Sequence, residues 1–434
     1  MRYTLLLLFI SSSLWAQKNI TAASDATAPL HALQPDYPTP YGAPKVSDVQ
    51  GLVDRVFNYL EIATPNRFVD KTSGATWSVG QAFTDQIVFS KGDFRPISYE
   101  WGVTYSGMLA LAKVTGNDKY KKYVFDRLNL IASGIPDARK NDTKHVLHGL
   151  IHPRALDDIG AMGMAVVKAK KAGFMTDMSF VSQRASDFIL KEEHRLPDKT
   201  LVRIRPLHHT IWLDDLYMAI PALLQLGEYE EAVFQFEAYR KRMFNPQLNI
   251  FMHGYLVDAT EHPEFHWARA NGWALLTTAE MLEYLPINHP ARPEILKQFK
   301  NHLKGLLSYQ DGSGFWHQLL DKNDSYLETS ATAIYCYVLA KGINMGWLDA
   351  KTYGPAAILA WNAAASKVNE KGHVEGTCVG TGLAWDPAFY YHRPISPFAA
   401  HGYGPLLLAG SAMMELLSKN AYQINDSAVH LLEK

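Results

Sequence analysis

The 434-residue sequence predicts an all-α fold, a toroid of about twelve helices following one another in antiparallel pairs. Three observations predict it. Apolar residues recur at helical spacing in about twelve segments after residue 47. Every even-numbered segment ends in a tight glycine turn or is preceded by a long, polar connection, so short links lie at one end and long loops at the other. Each even-numbered segment also opens on acids, indoles, imidazoles or a guanidinium. In antiparallel succession all even helices point the same way, and those starts converge on one mouth.

Taken in order, the N-terminus carries a secretory pattern: Arg2, the apolar run Leu5 to Ile10, then the small-residue exit Ser11-Ser12-Ser13-Leu14-Trp15-Ala16. The run is too short to span a bilayer. Residues 1–16 are therefore expected to be a signal peptide cut after Ala16, leaving a periplasmic or secreted protein. Residues 17–46 are polar and turn-rich, ending in Pro38-Thr39-Pro40-Tyr41-Gly42-Ala43-Pro44, and read as an extended arm. A single domain is expected over 47–434, since a closed helical ring of this size shares one core.

Ser47 is expected to cap the first helix, whose apolar face is Val49, Leu52, Val53, Val56 and Leu60. Glycine and aspartate breaks follow from Phe68 to Ile97, with Thr76-Trp77-Ser78-Val79 as a short strand. Helical spacing then marks 99–115, 118–133, 155–171, 178–190, 212–226, 228–243, 267–285, 292–307, 328–343, 351–366 and 401–418. Gly116, Gly134, Gly173, Gly227 and Gly342 mark stops. Pro221 implies a kink in the sixth helix, or a regular part beginning near Met218.

Composition narrows the function. Apolar residues make up 47% and aromatics 12%, and the formal charge of -1 gives no bulk field to attract nucleic acid or an anionic membrane. Ten Trp and 22 Tyr suit ordinary packing, and in a cleft they suit stacking on sugar rings. Cys336 reads as a buried free thiol, although an oxidising compartment permits a bridge to Cys378. Two cysteines cannot form a zinc site alone, and no histidine spacing completes one, so no metal and no cofactor is expected. Neither a glycine-rich phosphate loop before a helix nor a Gly-x-Ser-x-Gly elbow occurs. Nothing in the sequence sets an oligomeric state.

The chemistry-bearing residues cluster at the even starts: Tyr99-Glu100-Trp101, Leu156-Asp157-Asp158, Trp212-Leu213-Asp214-Asp215, His266-Trp267-Ala268-Arg269-Ala270-Asn271-Gly272-Trp273, Tyr326-Leu327-Glu328-Thr329-Ser330 and His401-Gly402-Tyr403-Gly404. An acid at a helix start is commonly a cap. Adjacent acids point about 100° apart, so one can cap while the other projects into the mouth. Paired carboxylates raise one pKa and keep a proton for acid catalysis. Arg269 sits where a helix dipole disfavours a cation, which suggests a carboxylate partner held in bidentate fashion. Glu328 suits either a cap or the site.

At these residues the chain resembles the unsaturated glucuronyl and rhamnogalacturonyl hydrolases, glycoside hydrolase family 105, related to family 88. The likeness extends through Gln310-Asp311-Gly312-Ser313-Gly314-Phe315-Trp316, Gly376-Thr377-Cys378 and Tyr390-Tyr391-His392-Arg393-Pro394, and covers roughly residues 47 to 420 in order. His266 and Ala270 depart from it, where Phe and Gly are expected. The resemblance implies an (α/α)6 toroid with Asp214 as general acid/base and Asp157 as second essential carboxylate. It also implies His253, Arg269 and Trp273 as substrate-binding residues; Trp101, Trp316, Glu328 and His401 complete the candidate wall.

Substrates of that family carry a C4=C5 double bond on a terminal uronic acid, left by a polysaccharide lyase. The resemblance thus implies an unsaturated oligosaccharide as partner, consumed by hydration of a vinyl ether. Two rivals stand beside it. One is an inverting glycosidase acting on saturated glycosides with Asp214 and either Asp157 or Glu328. The other is a non-catalytic glycan-binding protein. Rhamnose from pectin, sulfated rhamnose from ulvan and an arabinogalactan sugar all remain open as the attached glycan.

Overall fold

A computed structural model describes residues 24, 26–27, 37–42, 44–425 and 428–433. The expected signal peptide, residues 1–16, lies outside the described residues, as does most of the arm. Twelve of the helices build the ring. The inner six are α2 (Tyr99–Thr115), α5 (Leu156–Lys171), α7 (Asp215–Leu226), α9 (Ala268–Tyr284), α11 (Thr329–Asn344) and α14 (Tyr403–Lys419). The outer six are α1 (Val46–Ala63), α3 (Asp118–Ala138), α6 (Ser179–Asp187), α8 (Tyr229–Met243), α10 (Arg292–Leu307) and α12 (Ala350–Ala365). Two short helices, α4 (His148–Ile151) and α13 (Pro387–Tyr391), lie in loops.

The inner helices pack in the order α2, α5, α7, α9, α11, α14, and α14 closes back on α2. Each outer helix backs one inner helix, α1 covering α14. This is the (α/α)6 toroid, and the even-numbered segments of the sequence are its inner staves. An inner stave touches neighbours on all sides, which is why residues 268–282 of α9 are buried without a break. Two glycines set the spacing. A Cβ on Gly160 would lie 1.6 Å from the Met218 carbonyl oxygen, and one on Gly102 would lie 2.5 Å from that of Ala161. Only glycine lets α5 approach both neighbours so closely.

Helix ends largely follow the spacing, with local differences. The first helix starts at Val46, where the Asp48 carboxylate accepts from the Lys45 amide at 3.1 Å, and Ser47 is not the cap. Pro221 lies inside α7, and the helix runs from Asp215 regardless. Thr76 makes only an isolated bridge to Val69, while the strands there are β1 (Phe68–Asp70) and β2 (Ile87–Phe89). Short strands fringe the mouth: β3 (Thr210–Trp212) with β6 (Gly254–Leu256), β4 (Phe244–Asn245) with β5 (Ile250–Phe251), and β7 (Trp316–His317) with β8 (Leu327–Glu328). A C-terminal hairpin, β9 (Asn420–Asn425) and β10 (Ala428–Glu433), packs on α12. Both cysteines are free and buried. Among the described residues no helix is long and apolar enough to cross a membrane.

Candidate active site

Three-residue strands place the first two catalytic candidates. β3 pairs with β6 so that Trp212 faces Gly254, and the Leu213 amide donates to the His253 carbonyl at 2.9 Å. Asp214 follows directly at the start of α7. Its side chain makes no cap. Instead Oδ2 meets Nε2 of His253 at 3.1 Å, and the other ring nitrogen of His253 lies 2.9 Å from the Tyr390 hydroxyl. If Tyr390 donates to Nδ1, the proton of a neutral His253 sits on Nε2 and points at Asp214. Burial pushes the Asp214 carboxyl up. The hydrogen bond and charge of His253, with the charges of Arg203 and Arg269, outweigh it and hold the group below the ordinary carboxylate range.

Asp215 turns the other way. It is buried against Arg203, which donates to it through Nε at 2.8 and 3.0 Å and through Nη2 at 2.6 Å. The same guanidinium reaches both oxygens of Asp157 at 2.9 and 3.1 Å and stacks 4.3 Å from the Trp212 ring. Neither member of the Asp214-Asp215 doublet is a cap, and the structural one is identified by its arginine. Burial and the facing charges of Asp157 and Asp214 push Asp215 up to about 6, against the pull of Arg203. Arg203 is in turn held charged: the two carboxylates overcome its burial. Glu193, behind Asp215, is pushed up to about 7 by burial and by the charge of Asp215.

The opposite wall joins the first and last staves. The Tyr99 hydroxyl lies 2.5 Å from Nε2 of His401, and Glu100 lies 3.5 Å from the same nitrogen. Burial, then the charge of Arg269, keeps His401 neutral. Burial also raises the Glu100 carboxyl, with Asp157 adding to it.

Arg269 and Glu328 reach this region but work largely on the protein itself. Arg269 is fully buried and donates from Nη1 to Ser330 Oγ at 3.1 Å and to the Cys378 carbonyl at 2.7 Å, and from Nη2 to the Val379 carbonyl at 2.7 Å. Its free bidentate face is thus not the end expected. What remains unspent is the Nε–H, which has no partner, and a second hydrogen on Nη2 beside it. Glu328 caps α11 through the Ser330 and Ala331 amides and also accepts from the Cys378 amide at 2.9 Å. Its carboxylate is fully buried and fully used, so it is a cap rather than a substrate group. Together the two side chains clamp the loop that follows Gly376.

Three of the expected indoles are corrected. Trp101 stacks on Phe94 at 4.7 Å and donates to the Tyr123 hydroxyl. Trp273 stacks on Tyr217 at 5.2 Å. Trp316 donates to the Leu306 carbonyl and meets Tyr335 edge-on. All three point away from the mouth into the packing between helices, where a large apolar face is worth more buried than exposed. The indoles packed around His253 are Trp212 and Trp267, whose rings lie 6.1 and 4.6 Å from it, and Trp267 is itself buried. Sequence reasoning missed Arg203 and Glu193. The available signal was an arginine inside Leu201-Val202-Arg203-Ile204, because a guanidinium in an apolar stretch must find carboxylates. Among the described residues no group of three or more His, Cys, Asp or Glu is placed to hold a metal ion.

The site is thus one lightly exposed carboxylate on an oriented imidazole, beside a second held by arginine, at the mouth of a helical toroid. Comparison with known families decides the kinship: the model for Glycosyl Hydrolase Family 88 matches residues 75–417. The chain belongs to that family. It is 27% identical over 347 residues to the unsaturated rhamnogalacturonyl hydrolase YesR of Bacillus subtilis (strain 168), spanning 75% of this chain and 92% of that protein. It is 29% identical over 223 residues to an unsaturated 3S-rhamnoglycuronyl hydrolase of Formosa agariphila, spanning 47% and 58% respectively. The fold matches a solved structure described as a possible member of the GH105 family from Salmonella enterica, with a TM-score of 0.69 at 21% identity over 90% of this chain and 97% of that one. The kinship with the family 105 and 88 group expected from the motifs holds, and the chain is a glycoside hydrolase.

Proposed function

We infer that the chain removes a terminal 4,5-unsaturated uronic acid from oligosaccharides produced by polysaccharide lyases, by adding water across C4=C5. The observation that carries this reading is the inequality of the carboxylates. Asp214 meets His253 through one oxygen, whereas Asp157, although more exposed (32% against 15%), is tied at both oxygens by Arg203. An inverting glycosidase needs a second carboxylate free to take a proton from water. Vinyl ether hydration needs one group that gives a proton and then receives one.

Asp214 protonates C4, and the C4=C5 electrons leave an oxocarbenium ion shared by C5 and the ring oxygen. Water adds at C5 and returns its proton to Asp214. The hemiketal then opens by breaking the bond from C5 to the ring oxygen, and C1 expels the neighbouring sugar. Because His253, Arg203 and Arg269 hold Asp214 ionised in the free protein, its proton is taken up from solvent as the substrate binds. The uronate carboxylate, drawn by the charge of Arg269, offsets one of those cations and excludes water, and both effects raise the Asp214 pKa. Asp157, fixed by Arg203, offers its outward lone pairs to sugar hydroxyls. Trp212, packed beside Arg203 and His253, borders the floor of the site. Relatives named for rhamnose-linked substrates support a rhamnose-containing partner sugar.

Turnover should bleach the ultraviolet absorbance of the conjugated enoate. In D₂O deuterium should enter at C4, and in H₂¹⁸O the label should enter at C5. Release of an intact unsaturated uronate labelled at C1 refutes the mechanism. We also propose export, supported by Arg2 and the apolar run before Ala16. A mature chain that begins at Gln17 is expected; one that keeps Met1 excludes it.

A further inference from the structure

The end of the ring opposite the mouth gathers the later turns of the inner staves. A cavity of about 650 Å³ opens there between α2, α5, α9 and α11, with Leu408 of α14 also on its wall. Nearly the whole of α5 separates it from the reacting end: Asp157 stands in the first turn and Lys171 is the last residue, roughly 20 Å of helix apart. Helix C-termini favour cations, and α2, α5 and α11 each carry lysine in the last turn, which accounts for lysines at this end. α9 breaks the pattern. It has no base in its last turn, and it brings Glu280 and Glu283 to the cavity, where the dipole disfavours acids.

Those acids are answered by neighbouring staves, Glu280 by Lys168 at 2.5 Å and Glu283 by Lys341 at 2.9 Å. At the rim Lys121 pairs with Asp118. Two lysines of the lining are then in surplus. Lys113 has no acidic partner among the described residues, and Lys171 donates only to the neutral amide oxygen of Gln225 at 2.7 Å. A second observation is independent of charge. Tyr337 lines the cavity and is nine-tenths buried, yet its hydroxyl makes no hydrogen bond among the described residues. Burial, then the charges of Glu283 and Glu280, keep that hydroxyl protonated, so it offers both a donor and an acceptor. The Tyr284 ring supplies a flat surface, with the ammonium groups of Lys168 and Lys171 5.6 and 5.5 Å from its centre, and Leu109 and Leu408 add apolar wall.

We propose that this cavity is a second ligand site, built for a sugar acid of about monosaccharide size. Its volume lies in the range of small-molecule sites. A carboxylate answers the surplus ammonium groups of Lys113 and Lys171. Hydroxyls meet Tyr337 and the two lysine–glutamate pairs, and a C–H face of the sugar covers Tyr284 and the leucines. A compact polyanion would face Glu280 and Glu283 as well, and would leave the apolar wall uncovered. The site stands apart from the reaction proposed above and does not depend on it.

The test is calorimetric titration of the full chain at low salt with three probes, D-glucuronate, D-glucose and inorganic phosphate. Glucuronate should bind about tenfold more tightly than glucose, the range of a charge-assisted hydrogen bond, and its affinity should fall as salt rises. Phosphate should bind more weakly than glucuronate. Lys113→Ala combined with Lys171→Ala should weaken glucuronate about five- to tenfold and leave glucose unchanged, while Tyr337→Phe should weaken both sugars about fivefold. Both lysines are exposed, and Tyr337→Phe cuts no hydrogen bond, so urea unfolding of the variants should match the parent. Phosphate bound as tightly as glucuronate reduces the cavity to an anion patch, and glucose bound as tightly removes the carboxylate from it; either result overturns the proposal, as does the absence of heat with every probe. Glucuronate affinity unchanged in both variants places the sugar elsewhere, and overturns the second site without touching the hydration reading.

Discussion

Tyr390→Phe isolates the part of the site that steers a proton without touching the substrate. The ring would keep its contacts with Phe265 and Phe389, at 5.1 and 5.2 Å between centroids. Only the hydroxyl 2.9 Å from Nδ1 of His253 is lost. His253 is buried, so its Nδ1 would be left without a partner, which costs on the order of 1–2 kcal/mol of stability. The same bond biases the imidazole towards the tautomer with its proton on Nε2, facing Asp214. A net bond of about 1.4 kcal/mol corresponds to roughly a tenfold population bias. Without that bias the productive tautomer falls from about nine-tenths to about half, so kcat should fall about twofold with KM unchanged, since Tyr390 binds His253 rather than sugar. Initial rates from enoate absorbance, alongside urea unfolding of the same preparations, separate the two effects. Reduced stability with unchanged kcat would make Tyr390 a packing residue only. If neither changes, the hydrogen bond does not operate and the reasoning from it fails.

Asp214→Asn should cost a factor on the order of 10³ or more in kcat with little change in unfolding free energy, because Asp214 caps no helix and the amide still accepts from His253. Asp215→Asn should do the opposite, weakening the fold through Arg203 while sparing more of the rate; equal kcat losses in the two variants would contradict the assignment. His302 is buried and its pKa is depressed to about 3. Its neutral form is the folded one, so this contribution is fully present above the unfolded value near 6.5 and is lost as pH falls towards 3. Between pH 7 and 5 it should lower stability by about 2 kcal/mol. His302→Gln should remove that increment from the difference between denaturation curves at the two pH values, and an identical pH dependence in parent and variant would rule it out.

The ring was readable in the sequence because its regularities are local. Glycine stops and apolar spacing need only neighbouring residues, and they located both ends of α2. The even starts were readable as a shared mouth because alternation of direction follows from tight turns. What escaped was orientation across the chain. Trp101, Trp273 and Trp316 sit in the right clusters, but nothing within a cluster says whether an indole turns to the lumen or to the next helix. Arg203 joins carboxylates 12 and 46 residues away in sequence. The three-residue strands that hold Trp212 and follow His253 are too short for any period to register. Arg269 lies in the first turn of α9, where its cluster put it, yet its burden of backbone carbonyls from residues 378 and 379 could not be foreseen from its own helix.

The seam between α14 and α2 has a consequence for how the protein comes into being. Tyr99 and Glu100 meet His401 across some 300 residues of chain. Until the last stave is synthesised, the barrel has a slot along its length, and the two halves of that wall do not exist as a wall. Contacts of such separation are slow to form, because a long loop must close before they are rewarded. A chain stopped short of residue 401 therefore carries Asp214 and His253 without the wall that faces them. Catalytic competence arrives in a single step with closure, and enoate turnover during refolding would time the moment at which the ring shuts.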